Sequence, residues 1–349
     1  MFRKRTLFIL GAGASHEFRL PLGPGLASTI ARSMNARFEH GALAESDGAA
    51  LMAAVIQNRA SEVPQYRVAF DVIRHGVQLA SSIDDFLDVH AQDERIQRVG
   101  RMAIVKSVLD AERQSTLFLD RSNSQTHFSI TEFEDTWIVK FVRMLMKGLA
   151  KERKLELFAN VAFIVFNYDR CLEHSLFHAV QQVYGVDEMT AAAILDKLTI
   201  IHPYGMAAPF RATFGGAGYL FGAAQRTLLP EYWKLAEGVR TYTEQVKDES
   251  ELDKIRTEMK RAERIVFLGF GFHDQNMRLL APAGGLEMKQ IFATAKGMSE
   301  SDVGLLTAQL QRFYRTELQH VAGAGGTIVV RSDLTCSQLF DAYNKSLPA

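Results

Sequence analysis

Six short runs rich in β-forming residues punctuate the chain: Leu7 to Leu10, Val161 to Phe166, Leu198 to Ile201, Arg264 to Leu268, Gln290 to Ala295 and Thr327 to Arg331. They are continuously apolar rather than alternating, which suits strands of a parallel sheet buried on both faces. Segments with helical spacing lie between them, as in Glu251 to Glu263 and Ser301 to His320. Strand and helix in alternation predict an α/β fold of the Rossmann-like kind, a parallel sheet with helices on both faces. The first two runs, however, are separated by far more chain than one crossover needs. Phe70 to Ala80, Glu94 to Ala111 and Ile130 to Leu149 all read there as amphipathic helices. The expected organisation is therefore a Rossmann-like domain formed by residues 1–34 and 156–349, interrupted by a large inserted helical subdomain at residues 35–155.

Composition narrows the class further. The chain has 349 residues, 47% of them hydrophobic, enough for a large core. Forty basic residues balance forty acidic ones, so no overall field favours nucleic acid or a membrane surface, and direct binding to either is not expected. The basic clusters Arg3-Lys4-Arg5 and Lys151 to Lys154 read as solvated ends and helix faces. The opening MFRKRTLFIL mimics a signal peptide, but its apolar part is short and runs straight into a glycine turn, so it reads as a buried first strand. With no membrane-length apolar stretch, and with Cys171 and Cys336 far apart in sequence, the expectation is a cytoplasmic protein with no disulfide framework and no zinc or other metal site.

Four strand ends carry residues suited to a ligand. The first run breaks into Gly11-Ala12-Gly13-Ala14-Ser15: Gly11 allows a tight turn, Gly13 has no Cβ to keep a pyrophosphate away, and a helix N-terminus follows. The dehydrogenase version of this turn is not matched, because His16 takes the place of the third glycine. Residues 26 to 40 read as helix, and Glu39 follows no strand. The second run ends in Phe166-Asn167-Tyr168-Asp169-Arg170, where Asn167 and Asp169 either grip a ribose and a carboxamide or cap and pair with the next helix. The third ends in His202-Pro203-Tyr204-Gly205, offering a general base near neutral pH or a structural histidine. The fourth ends in Gly269-Phe270-Gly271, followed by Asp274 and Asn276. It suits either the far half of a dinucleotide or an ordinary turn and cap. Gly205 to Trp233, rich in glycine and aromatics, reads as a loop or small hairpin over the ligand edge.

Taken together, these motifs resemble the sirtuin NAD-binding domain, with Phe-Asn-Tyr-Asp standing for the sirtuin Gln-Asn-Ile-Asp at Asn167 and Asp169. The resemblance covers residues 1 to 30 and 160 to 335 and points to the sirtuin-like group of bacterial anti-phage defence proteins. It implies NAD as substrate, held by Gly11, Ala12, Gly13, Ser15, Gly269, Gly271, Asp274 and Asn276, with Arg19 as a further contact from the loop after the first turn. Asn167 would fix the ribose hydroxyls or the incoming water, Asp169 the nicotinamide carboxamide, and His202 would accept a proton. Sirtuins place glycine directly after their histidine, so Tyr204 can instead be aligned in that column. The four zinc-binding cysteines of sirtuins are absent, which disfavours protein deacylation. The implied activity is hydrolysis of NAD to nicotinamide and ADP-ribose in abortive infection. The implied assembly is a homo-oligomer, with a HerA-type ATPase or a nucleic-acid-guided protein as partner. The alternative is a non-catalytic sensor of NAD or ADP-ribose.

Overall fold

The computed structural model describes residues 1–120, 128–211, 216–223, 231–245, 248–281, 289–313 and 327–349. All six apolar runs are strands: β1 (Thr6–Leu10), β4 (Val161–Val165), β5 (Thr199–Ile201), β6 (Arg264–Leu268), β7 (Gln290–Thr294) and β8 (Ile328–Arg331). They form one parallel sheet in the order β5-β4-β1-β6-β7-β8. Counted along the chain, this is the Rossmann order 3-2-1-4-5-6, whose direction reverses at β1.

The sheet explains why its strands read as unbroken apolar runs. Leu7 and Ile9 of β1, Ala162 and Ile164 of β4, and Ile265 and Phe267 of β6 enter one core. Their neighbours Phe8, Leu10, Phe163, Val165, Val266 and Leu268 enter another on the opposite face. Successive side chains of a strand point to opposite sides, so a strand covered on both must be apolar throughout. The helices between β1 and β4 add to these same two cores. Leu51, Ile73, Val99 and Met102 pack on the first face, whereas Trp137 and Phe141 pack on the second. The long insertion thus uses the sheet as its floor.

Element boundaries differ from expectation where tertiary contacts intervene. The helix expected over residues 26 to 40 ends at Ser33, and Glu39 belongs to a separate two-strand hairpin, β2 (Phe38–Glu39) with β3 (Ala42–Leu43). Of the stretch Ile130 to Leu149, only Trp137–Met146 is α-helix. Its first turn is fixed from outside: the Trp137 amide donates to a Glu17 carboxylate oxygen at 2.8 Å, and the Trp137 indole donates to the Ala14 carbonyl at 2.9 Å. The helix expected over Ser301 to His320 is Glu300–Gln311, and residues 314–320 lie outside the described residues. Among the described residues no helix is long and apolar enough to cross a membrane.

Candidate functional site

The carboxyl ends of β1, β4, β6, β7 and β8 open onto a cleft of about 910 Å³, the position at which a sheet of this order binds ligands. Gly11, Ala12, Gly13, Ser15, Asn167, Asp169, Gly269, Gly271 and Asn276 all line it. Residues from two distant parts of the sequence meet directly. Asn167 Nδ2 donates to Ser15 Oγ at 2.9 Å and to the Gly11 carbonyl at 3.0 Å. Asp169 is buried beneath them and accepts the Cys171 amide at 3.0 Å through Oδ1. Burial pushes the Asp169 carboxyl up, while the Ser15 hydroxyl and the Cys171 amide hold it down in part. Asp169 therefore tethers the start of the next helix as well as facing the cleft.

The glycines serve a purpose beyond the one read in the sequence. The Gly13 amide donates to the Gly269 carbonyl at 2.9 Å, so it is spent within the protein. A Cβ on Gly13 would lie 2.6 Å from the Gly269 Cα, and one on Gly11 would lie 2.6 Å from the Gly269 carbonyl oxygen. Gly269 itself has φ of +57°, and a Cβ there would meet the Ala14 nitrogen at 2.2 Å. The two glycine turns are thus pressed against each other at the middle of the sheet. Only residues without side chains allow that approach.

Three expected contacts stand outside the cleft lining. His202 is a buried side chain whose Nε2 lies 2.7 Å from Glu173 Oε1 and whose Nδ1 lies 3.4 Å from the Asn167 carbonyl. Burial opposes charge on this ring, yet the Glu173 carboxylate outweighs it and raises the imidazole pKa, favouring the protonated form. A ring so paired has both nitrogens directed at protein atoms, and His202 is not among the residues lining the cleft. Arg19 is exposed with φ of 70° on the loop after the first helix, and Asp274 is exposed with Gln309 Nε2 3.5 Å away. The described part of Gly205 to Trp233 does not border the cleft either. Its Tyr219 and Leu220 carbonyls accept from Arg170, and residues 212–215 and 224–230 lie outside the described residues.

In the place expected for His202 the cleft presents tyrosines and a carboxylate. Tyr204 donates its hydroxyl to Asn276 Oδ1 at 2.6 Å, and Tyr168 donates to Asp84 Oδ1. Tyr204 is the residue that also fits the sirtuin histidine column, and burial pushes its hydroxyl pKa up, so it acts as a donor. Asp84 was invisible in the sequence as a site residue. Ser82-Ile83-Asp84-Asp85 reads as a helix start, and Ser82 Oγ does accept the Asp85 amide at 3.0 Å. Only the tertiary fold brings Asp84 to the end of β4. Glu17 and Lys296 also line the cleft, with Glu17 held by the Trp137 and Ser337 amides at 2.8 Å each. No cluster of three or more His, Cys, Asp or Glu side chains suited to a metal ion occurs among the described residues.

Fold and cleft together define a Rossmann-like α/β protein with a cleft at its switch point. Comparison with protein-family profiles, with curated proteins and with solved structures finds no match in any of the three.

Proposed function

We propose that this chain is a sirtuin-like NAD glycohydrolase, releasing nicotinamide and ADP-ribose. The observation that carries the reading is the Ser15-Asn167-Asp169 cluster at the switch-point cleft, closed by the 2.9 Å bond from Asn167 to Ser15. A cleft of about 910 Å³ is of the size that accommodates a dinucleotide. Nicotinamide in NAD is already a cationic leaving group. The protein must therefore hold the ribose, stabilise the oxocarbenium-like transition state and deliver water. Asn167 and Asp169 hold the reacting ribose and the carboxamide in this reading, and His202 supports the Asn167 backbone from behind. The wider role is that of a cytoplasmic effector of abortive infection, acting as a homo-oligomer with an ATPase or a nucleic-acid-guided partner.

The test is nicotinamide release from NAD by the purified chain, alone and with co-purifying proteins, beside Asn167→Ala. Release that depends on Asn167 is the expected result; no release under any condition overturns the reading. One observation favours a second reading, a sensor that binds NAD without cleaving it: the imidazole expected to act as base is engaged with Glu173. That reading requires calorimetric binding of NAD with no turnover.

A further inference from the structure

We infer that Asp84, carried into the cleft by the helix Ile83–Val89, is a catalytic residue of the same site: the carboxylate that faces the reacting ribose carbon and accepts the proton of the attacking water. The inference rests on the NAD-cleaving reading and adds to it the group that His202 does not provide.

Of the acidic residues that line the cleft, Glu17, Asp84, Asp85 and Asp169, Asp84 is the one whose carboxylate accepts a tyrosine hydroxyl. Glu17 is tied by two backbone amides, and Asp169 receives the Cys171 amide. Asp84 is held through one oxygen by Tyr168, which stands between Asn167 and Asp169 in the chain, and all four residues line the same cleft. The residue is half-buried and borders the cleft. Tyr168 and Tyr204 form one wall, their rings 6.4 Å apart, and Tyr204 in turn holds Asn276.

The reaction balances. The bond from C1′ to the pyridinium nitrogen breaks, and its electron pair leaves with neutral nicotinamide. The water oxygen bonds to C1′, Asp84 takes the water proton and then loses it to solvent. Before that, the negative carboxylate offsets the positive charge that develops on the ribose.

Burial pushes the Asp84 carboxyl up to about 6; the Tyr168 hydroxyl opposes this, and Asp85 and Asp88 add to it. A base in that range is ionised at neutral pH and still accepts a proton. His16, Glu17, Asp85, Asp169, His273 and Lys296 share the cleft with Asp84. Asp88 receives Gln275 Nε2 at 3.0 Å. From the helix Glu94–Gln114, Arg101 acts on Tyr168 but is itself paired with Glu244 at 2.8 Å. Tyr242 adjoins Tyr204, and on the helix Gly23–Ser33 Arg32 is exposed and bonded to Thr29.

The experiment compares wild type, Asp84→Asn and Tyr168→Phe by nicotinamide release from NAD across pH 5 to 8, with NAD binding by calorimetry and unfolding by denaturant. Asp84→Asn is expected to lower kcat by roughly 10²- to 10⁴-fold with little change in KM, and to lose the rise in rate through about pH 6. Tyr168→Phe, which removes the bond that favours the ionised carboxylate, is expected to move that rise to higher pH. The raised pKa also predicts that the Asp84 contribution to stability is greatest at acid pH and declines between about 4 and 6, because the folded state binds the proton more tightly; Asp84→Asn removes this contribution, read as the difference between the two pH profiles. Should Asp84→Asn fail to fold, the displacement of the Tyr168→Phe profile decides. Cleavage by Asp84→Asn at the wild-type rate and with the wild-type pH profile overturns the inference and leaves the NAD reading standing. Wild type that binds NAD without cleaving it overturns the inference in favour of the sensor, and wild type that does not bind NAD overturns both.

Discussion

Two buried ionic pairs brace the segment that carries Asn167, and they are built differently. Arg170 and Glu112 are fully enclosed, and every end of the pair is occupied. The guanidinium also donates to the Tyr219 and Leu220 carbonyls at 2.7 and 3.0 Å, while Glu112 also accepts the Arg170 amide and the Gly222 amide, each at 3.0 Å. His202 and Glu173 meet through a 2.7 Å contact, and Glu173 Oε2 is buried without a hydrogen-bond partner among the described residues. Arginine keeps its charge at any pH a folded protein tolerates, whereas histidine titrates near neutrality. The first pair is a fixed brace between the helix Glu94–Gln114 and the end of β4. The second is a support for Asn167 that weakens as the solution becomes alkaline.

The largest effect is expected from Glu112→Ala, which leaves the Arg170 guanidinium buried without its carboxylate. A loss of roughly 3–5 kcal/mol in denaturant unfolding is expected, the same at pH 6 and pH 8. A loss that varied over this range would break the contrast between the pairs. His202→Ala is expected to cost less, about 2 kcal/mol at pH 6, the scale of a hydrogen bond to a charged group. Here the sign with pH is definite. The folded pKa lies above the ordinary value of 6.5, so the stabilisation is complete below that value and fades as pH rises through the folded one. Stability measured from pH 5.5 to 9 should show wild type and His202→Ala converging at the alkaline end.

A third variant, Asn167→Ala, removes the bonds to Ser15 and Gly11 and should cost about 1 kcal/mol in stability. In the proposed function it abolishes nicotinamide release. Loss of activity without loss of fold would separate its chemical role from its structural one. The smallest effect sharpens the comparison most. Because His202 Nδ1 lies 3.4 Å from the Asn167 carbonyl, a double-mutant cycle between His202→Ala and Asn167→Ala should give a coupling below about 0.5 kcal/mol. A larger coupling would show that the titrating pair controls the amide side chain as well as its backbone.

The sheet was legible because its constraint is local and repeated. A strand covered on both faces has no polar position to offer, so each of the six runs announces itself without its neighbours. Ser15, Asn167, Asp169, Gly269 and Asn276 were legible for a related reason: residues just past the end of a parallel strand fall on one edge whatever the connections between them. His202 shows where that rule stops. It follows β5 directly, yet its ring turns to Glu173 on the helix Cys171–Tyr184, a partner that no spacing in the sequence identifies.

By itself, the sequence determined the parallel α/β sheet, the strand ends that supply the cleft, and the need for glycine at two turns, because burial and backbone sterics act over a few residues. Only the tertiary structure decided why those glycines are needed: Gly13 and Gly269 give way to each other, 2.6 Å being too little for a Cβ. It also decided that Asp84 joins the carboxylates lining the cleft. Asp84 reaches Tyr168 across 84 positions of chain, and a contact between elements so far apart is set by how helices pack on the sheet.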